Sequence, residues 1–162
     1  MPVSPNNFKA GMRRFATGVT VVTTVGPDGH VHGFTANAFA SVTADPPMLL
    51  ICVNRSAQSH PLISSAGRFC VNVLSLDQQE IAERFARSGI EDRFGTIEWR
   101  PGETGSPIIA GTLAHFDCTL AEEHTAGTHT IFIGTVVDCS FAEGAPLGYF
   151  DGAYRNFTCA TS

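Results

Sequence analysis

The chain is short of charge. Charged residues make up 15% of its 162 residues, and lysine occurs once, at position 9, whereas soluble domains typically carry roughly 25% charged residues. Binding to phosphate backbones depends on clustered cations, so a net charge of −5 without any Lys/Arg block argues against nucleic acid and anionic membranes as partners. With so little charge, the chain is expected to hide part of its surface in a ligand cleft or, more naturally, against a second copy of itself.

Long hydrophobic runs and paired cysteines are also missing. No apolar stretch approaches the roughly 20 residues that cross a bilayer, and the opening MPVSPNNFKAGMRR lacks the apolar core of a signal peptide. We therefore expect a cytoplasmic protein with no membrane partner. An odd number of cysteines without a CxxC pair predicts buried, reduced thiols rather than a disulfide or zinc site. They are Cys52, Cys70, Cys118, Cys139 and Cys159.

Several nucleotide and hydrolase motifs are absent as well. The sequence contains no GxGxxG, no GxxxxGK[ST], no GxSxG and no HExxH. If the chain binds a nucleotide, it does so without a glycine-rich helix N-terminus.

What the sequence does contain is a series of strand patterns joined by turns. Short helices are predicted at Pro5–Phe15, with Ser4 as its N-cap, at Ser59–Ser65, and at Asp77–Arg87, with Asp77 and Glu80 as a capping box. A hairpin is predicted around the turn Gly26–Gly29, and an irregular loop over 89–105. Further strands are predicted at 19–25, 30–34, 69–74, 108–109, 114–121 and 130–141. About seven or eight strands against two or three helices predict a mainly β fold with antiparallel pairing, as a closed or partly closed barrel in a single domain over 1–162.

The histidines do not form an obvious metal site. His30 and His32 flank a hairpin turn and are expected to be solvated, while His115 and His124 are expected at the surface, the second of them in a loop. His129 differs because it begins the apolar run HTIFIGTVVDC. It therefore lies at a strand end, where sites form over a barrel opening.

The segment GFTANAFASVTADPPMLLICVN, residues 33–54, is unusual in carrying small and polar residues ahead of its Pro46-Pro47 corner. Small side chains at Thr35–Asn37 would let a flat ligand approach the backbone, whose polar groups could then bind the ligand edge. Ser41, Asn54, Ser56 and Ser59 add further polar groups. An edge strand of small residues followed by turn-forming serines explains the same composition without a site.

Seven phrases in order resemble the flavin reductase-like domain family. They are FATGVTVVTT (15–24), residues 33–54 as quoted above, FCVNVL (69–74), ERF (83–85), DRF (92–94), HTIFIGTVV (129–137) and PLGYFDGAYRNF (146–157). The resemblance covers a core of about 8–157. It implies a split β-barrel homodimer that binds FMN or FAD, oxidises NADH or NADPH, and supplies reduced flavin to a partner monooxygenase.

The resemblance also implies roles for individual residues. The isoalloxazine edge would be lined by Thr35, Ala36, Asn37 and Ser41, with Cys52, Val53 and Asn54 on the facing strand. The ribityl-phosphate side would lie near Ser56 and Ser59. The cofactor site would be completed by Arg93, Phe94 and Tyr154. His129 would stand beside the nicotinamide as the catalytic residue. Where the family often has Gly-Asp-His, this chain reads Gly127-Thr128-His129, which puts the dinucleotide contact of this loop in doubt.

The expected reaction is hydride transfer from the nicotinamide to the flavin, which needs no acid–base pair on the protein. Two alternatives share the fold. One is a flavoprotein that retains FMN and reduces another acceptor, such as a metal-bound macrocycle or a quinone. The other is a non-enzymatic flavin- or haem-binding barrel.

Overall fold

The computed structural model describes residues 2–157. Over these residues the chain forms three α-helices, α1 (Pro5–Met12), α2 (Ser59–Ala66) and α3 (Gln79–Ala86), with a 3-10 turn at Leu76–Gln78. The strands are β1 (Thr17–Gly18), β2 (Thr20–Val25), β3 (Val31–Ala36), β4 (Phe39–Ala44), β5 (Pro47–Asn54), β6 (Arg68–Val73), β7 (Trp99–Pro101), β8 (Pro107–Ile109), β9 (Ala114–Ala126), β10 (His129–Phe141), β11 (Leu147–Phe150) and β12 (Ala153–Asn156). The predicted mainly β fold with a few helices is confirmed. No helix in the described part of the chain is long and apolar enough to cross a bilayer.

The largest sheet has seven strands in the order β3-β2-β6-β9-β10-β5-β4, and every neighbouring pair is antiparallel. Its two edge strands, β3 and β4, follow each other in the chain with only Asn37 and Ala38 between them. Smaller sheets comprise β1-β11-β12 and β7-β8. The two edges of the large sheet are therefore tied together at the small-residue segment that the sequence singled out.

Two hydrophobic clusters occupy opposite faces of the central strands. Successive strand residues point to opposite sides, so Val22 packs with Phe69 and Phe132 while Val21 packs with Phe85. Fully burying an aromatic side chain of this size contributes about 2–3 kcal/mol. The faces predicted for 69–74 are confirmed.

The ends of two elements differ from their predictions. Helix α1 ends at Met12 rather than Phe15, and its apolar residues Phe8 and Met12 are exposed. The predicted Asp77–Glu80 capping box is wrong: Ser75 begins the turn, and its backbone N–H donates to Oε1 of Gln78 at 3.1 Å. The observed pair lies two residues earlier than predicted because the chain enters α3 through the 3-10 turn.

Strand β9 is longer than predicted and runs to Ala126, so His124 lies in a strand rather than a loop. The prediction of a surface position for His115 is also wrong. It is buried, with Nε2 2.9 Å from Oδ2 of Asp138 and Nδ1 3.1 Å from Oγ of Ser140. The pattern of β9 alone predicted an exposed His115. Its burial is possible because Asp138 and Ser140 of β10 provide hydrogen-bond partners for both ring nitrogens.

The predictions for the remaining polar positions are mixed. The exposed His30 pairs with Asp28 at 3.1 Å, a partner that the sequence pattern did not reveal. Cys70 and Cys118 are buried free thiols as predicted, and burial raises the pKa of Cys118 to about 12. Cys139 is exposed, contrary to prediction. Cys159 lies outside the described residues. The predicted 89–105 loop contains the short strand β7.

Candidate active site

A cavity of about 200 Å³ lies where the end of β3 meets the β11–β12 hairpin. Its lining consists of Val19, Thr35, Ala36, Asn37, Ala86, Tyr149 and Tyr154. Cofactor sites usually enclose roughly 300–1,000 Å³, so this cavity fits one end of a flat ring system. Ala36 lines the cavity with little bulk, its side chain also packing against the core cluster that contains Val22 and Phe69. The remainder of a larger ligand would extend over the exposed residues beyond it.

Hydrogen bonds from side chains fix the β3 wall of this cavity. The Thr20 hydroxyl donates to the carbonyl of Ala36 at 2.7 Å, and the Thr35 hydroxyl donates to the carbonyl of Ala82 in α3 at 2.6 Å. The hydroxyl of Thr35 is thus engaged with the helix. What this wall offers a ligand is mainly its backbone and its lack of bulk.

Two tyrosines form the opposite wall. Tyr149 and Tyr154 are paired across the β11–β12 hairpin, with ring centroids 5.7 Å apart in an edge-to-face arrangement. Burial raises the pKa of the Tyr154 hydroxyl, and the nearby Glu83 and Tyr149 add to the rise. Tyr154 was predicted from the sequence, whereas Tyr149 was not, although the hairpin register makes the two residues neighbours.

The β4–β5 pair continues the site away from the cavity. The backbone N–H of Cys52 donates to the carbonyl of Ala38 at 3.1 Å, which brings β5 beside the link between β3 and β4. Burial raises the pKa of the Cys52 thiol, so this side chain is a neutral one. Val53 is buried and offers a ligand only its backbone. Ser41 lies further along β4, exposed and opposite Leu49.

The loop after β5 is organised by Asn54. Its side-chain Oδ1 accepts from the backbone N–H of Ser56 at 2.9 Å and from the Ser56 hydroxyl at 2.8 Å. Ser59 is buried as the first residue of α2. Asn54 and Ser56 therefore lie together on an exposed turn, and Ser59 anchors the turn to the fold.

His129 begins β10 directly opposite Asn54 in the register. Its Nδ1 lies 2.9 Å from the Thr128 hydroxyl, and the Thr128 carbonyl accepts from the backbone N–H of Arg55 at 3.0 Å. The imidazole is exposed. The structure thus brings His129 together with Asn54 and Ser56 at one strand end.

Arg93 and Phe94 are placed differently from the other predicted site residues. Arg93 donates from Nη1 to the Gly33 carbonyl at 3.0 Å and from Nη2 to the Arg87 carbonyl at 2.6 Å. Phe94 is buried and packs edge-on against Phe85, with ring centroids 5.0 Å apart. Their predicted contact with a cofactor stays a prediction.

The predicted residues thus form two groups. Thr35, Ala36, Asn37 and Tyr154 surround the cavity, while Asn54, Ser56 and His129 lie at the adjoining ends of β5 and β10. Cys52, bonded to Ala38, lies between the groups. Neither group contains paired carboxylates or a nucleophile–base pair. The arrangement can bind and orient ligands, which is what hydride transfer between two cofactors requires.

Comparison with known proteins identifies the family. A model of the flavin reductase like domain matches residues 12–158. The FMN reductase (NADH) SmoA of Agrobacterium fabrum is 41% identical over 152 residues, which are 94% of this chain and 86% of that protein. The reductase subunit HsaB of a flavin-dependent monooxygenase from Mycobacterium tuberculosis is 41% identical over 155 residues, covering 94% of this chain and 82% of that protein.

A solved structure agrees. The NADH:FAD oxidoreductase SgcE6 of Streptomyces globisporus, in complex with NAD and FAD fragments, matches with a TM-score of 0.91 and 35% identity, covering 100% of this chain and 99% of that one. The chain belongs to the flavin reductase-like domain family. The family resemblance and the enzyme class predicted from the sequence, an NAD(P)H-dependent flavin reductase, are confirmed.

Proposed function

We propose that the protein transfers hydride from NADH to an exchangeable FMN or FAD, and that the reduced flavin leaves for a separate flavin-dependent monooxygenase. The observation that carries the proposal is the cavity between the small residues Thr35–Asn37 and the Tyr149–Tyr154 pair. SmoA is named for FMN and SgcE6 for FAD, so the proposal covers both flavins. The name of HsaB supports a monooxygenase partner.

The residues of the chain bind and orient rather than react. When bound, the flavin ring accepts the hydride and the nicotinamide supplies it. Ala36 leaves room for the ring edge, and the outer side of edge strand β3 presents backbone polar groups to it. The tyrosine pair excludes water from one end of the cavity. Fixed dipoles facing the ring stabilise the negative charge that it gains.

His129 is the proposed contact for the nicotinamide. The ring is exposed at the mouth of β10, beside Asn54 and Ser56, and its Nδ1 is engaged by Thr128. Its Nε2 would hydrogen-bond the nicotinamide amide and hold it over the flavin. The proposed flavin contacts are Thr35–Asn37, Ser41, Cys52–Asn54, Ser56, Ser59 and Tyr154, and Arg93 and Phe94 are proposed to support the site through their contacts with β3 and α3. No arginine cluster offers a 2′-phosphate site in the sequence, which favours NADH over NADPH.

A split barrel within a single domain is the proposed architecture. If the seven-stranded sheet were flat, its six strand-to-strand distances of about 4.8 Å each would place the edge strands about 29 Å apart. The link through Asn37 and Ala38 spans at most about 11 Å. Such a sheet has to curl until β3 and β4 approach each other, which leaves the unpaired split beside the candidate site.

A homodimer is the proposed assembly, in the cytoplasm, where the free cysteines stay reduced. Leu50 and Cys52 of β5 and Ile131 and Ile133 of β10 share the sheet face opposite the core, where each stays partly exposed. The chain exposes 9559 Å², whereas a compact monomer of this mass exposes about 7,800 Å². The excess is of the order that each subunit buries in a stable dimer.

The test is steady-state oxidation of NADH and NADPH with FMN, FAD and riboflavin, followed by nicotinamide absorbance. We expect turnover of added flavin and a lower KM for NADH than for NADPH. Gel filtration should separate the protein from most of its flavin. Oxidation of NADH that is independent of added flavin, or a flavin retained on the column, would instead favour an enzyme with a resident cofactor and another acceptor.

Ala36→Leu tests the position of the site. A leucine at this lining position adds bulk where the ring edge would approach, so we expect flavin affinity to fall about 5- to 150-fold, the range that corresponds to a misfit of roughly 1–3 kcal/mol. Fluorescence quenching on titration measures the affinity, and a thermal melt checks the fold. Ala121→Leu, at an exposed position of β9, is the matched control. Unchanged affinity in Ala36→Leu with an intact fold would place the flavin elsewhere.

A further inference from the structure

The side chain of Arg93 joins β3 to the end of α3, two of the elements that line the flavin cavity. Nη1 donates to the carbonyl of Gly33, two residues before Thr35, and Nη2 donates to the carbonyl of Arg87, the residue after Ala86. Thr35 and Ala86 both line the cavity, on β3 and at the end of α3 respectively. One guanidinium therefore fixes the position of β3 relative to the end of α3, and both elements contribute residues to the cavity.

Both acceptors have a physical need for this donor. As an edge strand, β3 has a side without a neighbouring strand to satisfy its backbone groups. Arg87 is the C-cap of α3, where carbonyl groups lack intrahelical partners and a cation is favoured. A planar guanidinium with several donors can reach two carbonyls at once, whereas the single ammonium of lysine is a point donor.

The packing around Gly33 leaves no free space between β3 and α3. A Cβ at Gly33 would lie 2.7 Å from the ring of Phe85, so β3 already approaches α3 as closely as a glycine permits. Two residues further along β3, the Thr35 hydroxyl donates to the Ala82 carbonyl of α3 at 2.6 Å. Phe94, the neighbour of Arg93, is locked in the core against Phe85. Because Phe94 is fixed in the core, the neighbouring Arg93 is held in place where its guanidinium bonds β3 and the end of α3.

We propose that Arg93 is a positioning residue that holds β3 against the end of α3 and so keeps the flavin cavity in shape, and that it does not bind the flavin phosphate. This inference rests on the proposed location of the ring. The competing role has a basis too, because Arg93 also lines an open cleft of about 690 Å³ together with His32 and Gln58. A phosphate in that cleft would face the same guanidinium.

FMN and riboflavin separate the two roles because they share the ring and differ in the phosphate. In Arg93→Gln we expect the dissociation constants of both to rise by the same factor, roughly 10-fold, the order expected for losing a charged hydrogen bond. Arg93→Lys should show a smaller but equally shared loss. The KM for NADH at saturating flavin should change little. Arg84→Gln is the matched control, since the Arg84 guanidinium bonds the exposed Thr96 hydroxyl and lies outside the cavity.

A loss confined to FMN would overturn the proposal and make Arg93 a phosphate ligand. Unchanged affinity for both flavins in Arg93→Gln would overturn it as well. The dissociation constants of FMN and riboflavin are measured on the same preparation, so partial unfolding would change both equally, and a thermal melt would reveal it. If Arg93→Gln is partly unfolded, the two constants are compared in Arg93→Lys instead. If Ala36→Leu leaves flavin binding intact, the ring lies elsewhere, and the proposed site fails rather than the bonds of Arg93.

Discussion

The hydroxyl of Thr128 lies 2.9 Å from Nδ1 of His129, at the residue where the resemblance led us to expect an acidic side chain. A carboxylate there would add a negative charge beside the imidazole, whereas a hydroxyl adds only a hydrogen bond. The same Thr128 is fixed through its carbonyl to the backbone of Arg55. The chain therefore keeps the orientation of the histidine and gives up the charge next to it.

Thr128→Val tests this at the level of a single bond, since valine keeps the shape and removes the hydroxyl. We expect the KM for NADH to rise about fivefold, the factor that corresponds to one neutral hydrogen bond of about 1 kcal/mol, with the flavin affinity unchanged. Thr128→Ser keeps a hydroxyl and should restore the KM. Identical KM values for the valine variant and the original protein would show that His129 needs no such support.

Among the elements, β6 contributes the buried side chain of Asn72, which together with the Thr23 hydroxyl of β2 joins the main sheet to the β7–β8 ribbon. Oδ1 of Asn72 accepts from the Ile109 N–H at 2.8 Å, and Nδ2 donates to the Val21 and Pro107 carbonyls at 3.2 and 3.3 Å. The strand pattern predicted the face of Asn72 but not these partners. Because both the oxygen and the nitrogen of this buried amide are hydrogen-bonded, Asn72 fixes the position of β8 against the sheet.

Asn72→Leu should destabilise the protein by about 2–4 kcal/mol, because it leaves the buried N–H of Ile109 without its partner and removes one of the two donors to the Pro107 carbonyl. Urea unfolding followed by circular dichroism measures the change. Asn6→Leu, at an exposed position of α1, is the control and should stay within about 0.5 kcal/mol. A loss no larger than that of the control would mean that water or a rearranged ribbon satisfies those groups.

For the molecule as a whole, the sequence predicted what depends on near neighbours. Turn chemistry at Gly26–Gly29 and strand alternation around it are local, and the hairpin they predicted is present. The bonds from His115 to Asp138 and from Arg93 to Gly33 join residues 23 and 60 positions apart. Such contacts depend on strand order, which the hydrophobic pattern does not encode. A cavity lies at Thr35–Asn37, where the missing bulk of one short segment left a ligand site and a plain edge strand as alternatives; that the flavin binds there stays a prediction.

Strand order also determines which apolar residues end up together on the outside. Leu50 and Ile133 are register partners on the face opposite the core, and both remain partly exposed. Val42 and Val137, at irregularities in β4 and β10 on either side of β5, are 47% and 49% exposed. In a chain with so few charges, an apolar face of this kind is expected to be covered by a partner. If the partner is a second copy, a charge on this face should separate the two subunits.

Leu50→Glu and Ile133→Glu should therefore sediment as monomers of 17.2 kDa, whereas the original protein should sediment at twice that mass at micromolar concentrations. A buried, unpaired carboxylate at an interface costs several kcal/mol, enough to shift the dissociation constant by a factor of 100 or more. Ser65→Glu, on the exposed side of α2, adds the same charge elsewhere and should stay dimeric. A monomeric original protein would refute the homodimer. A Leu50→Glu variant that stays dimeric would instead place the interface on another face, because an unpaired carboxylate cannot lie at the centre of a dry contact without weakening it.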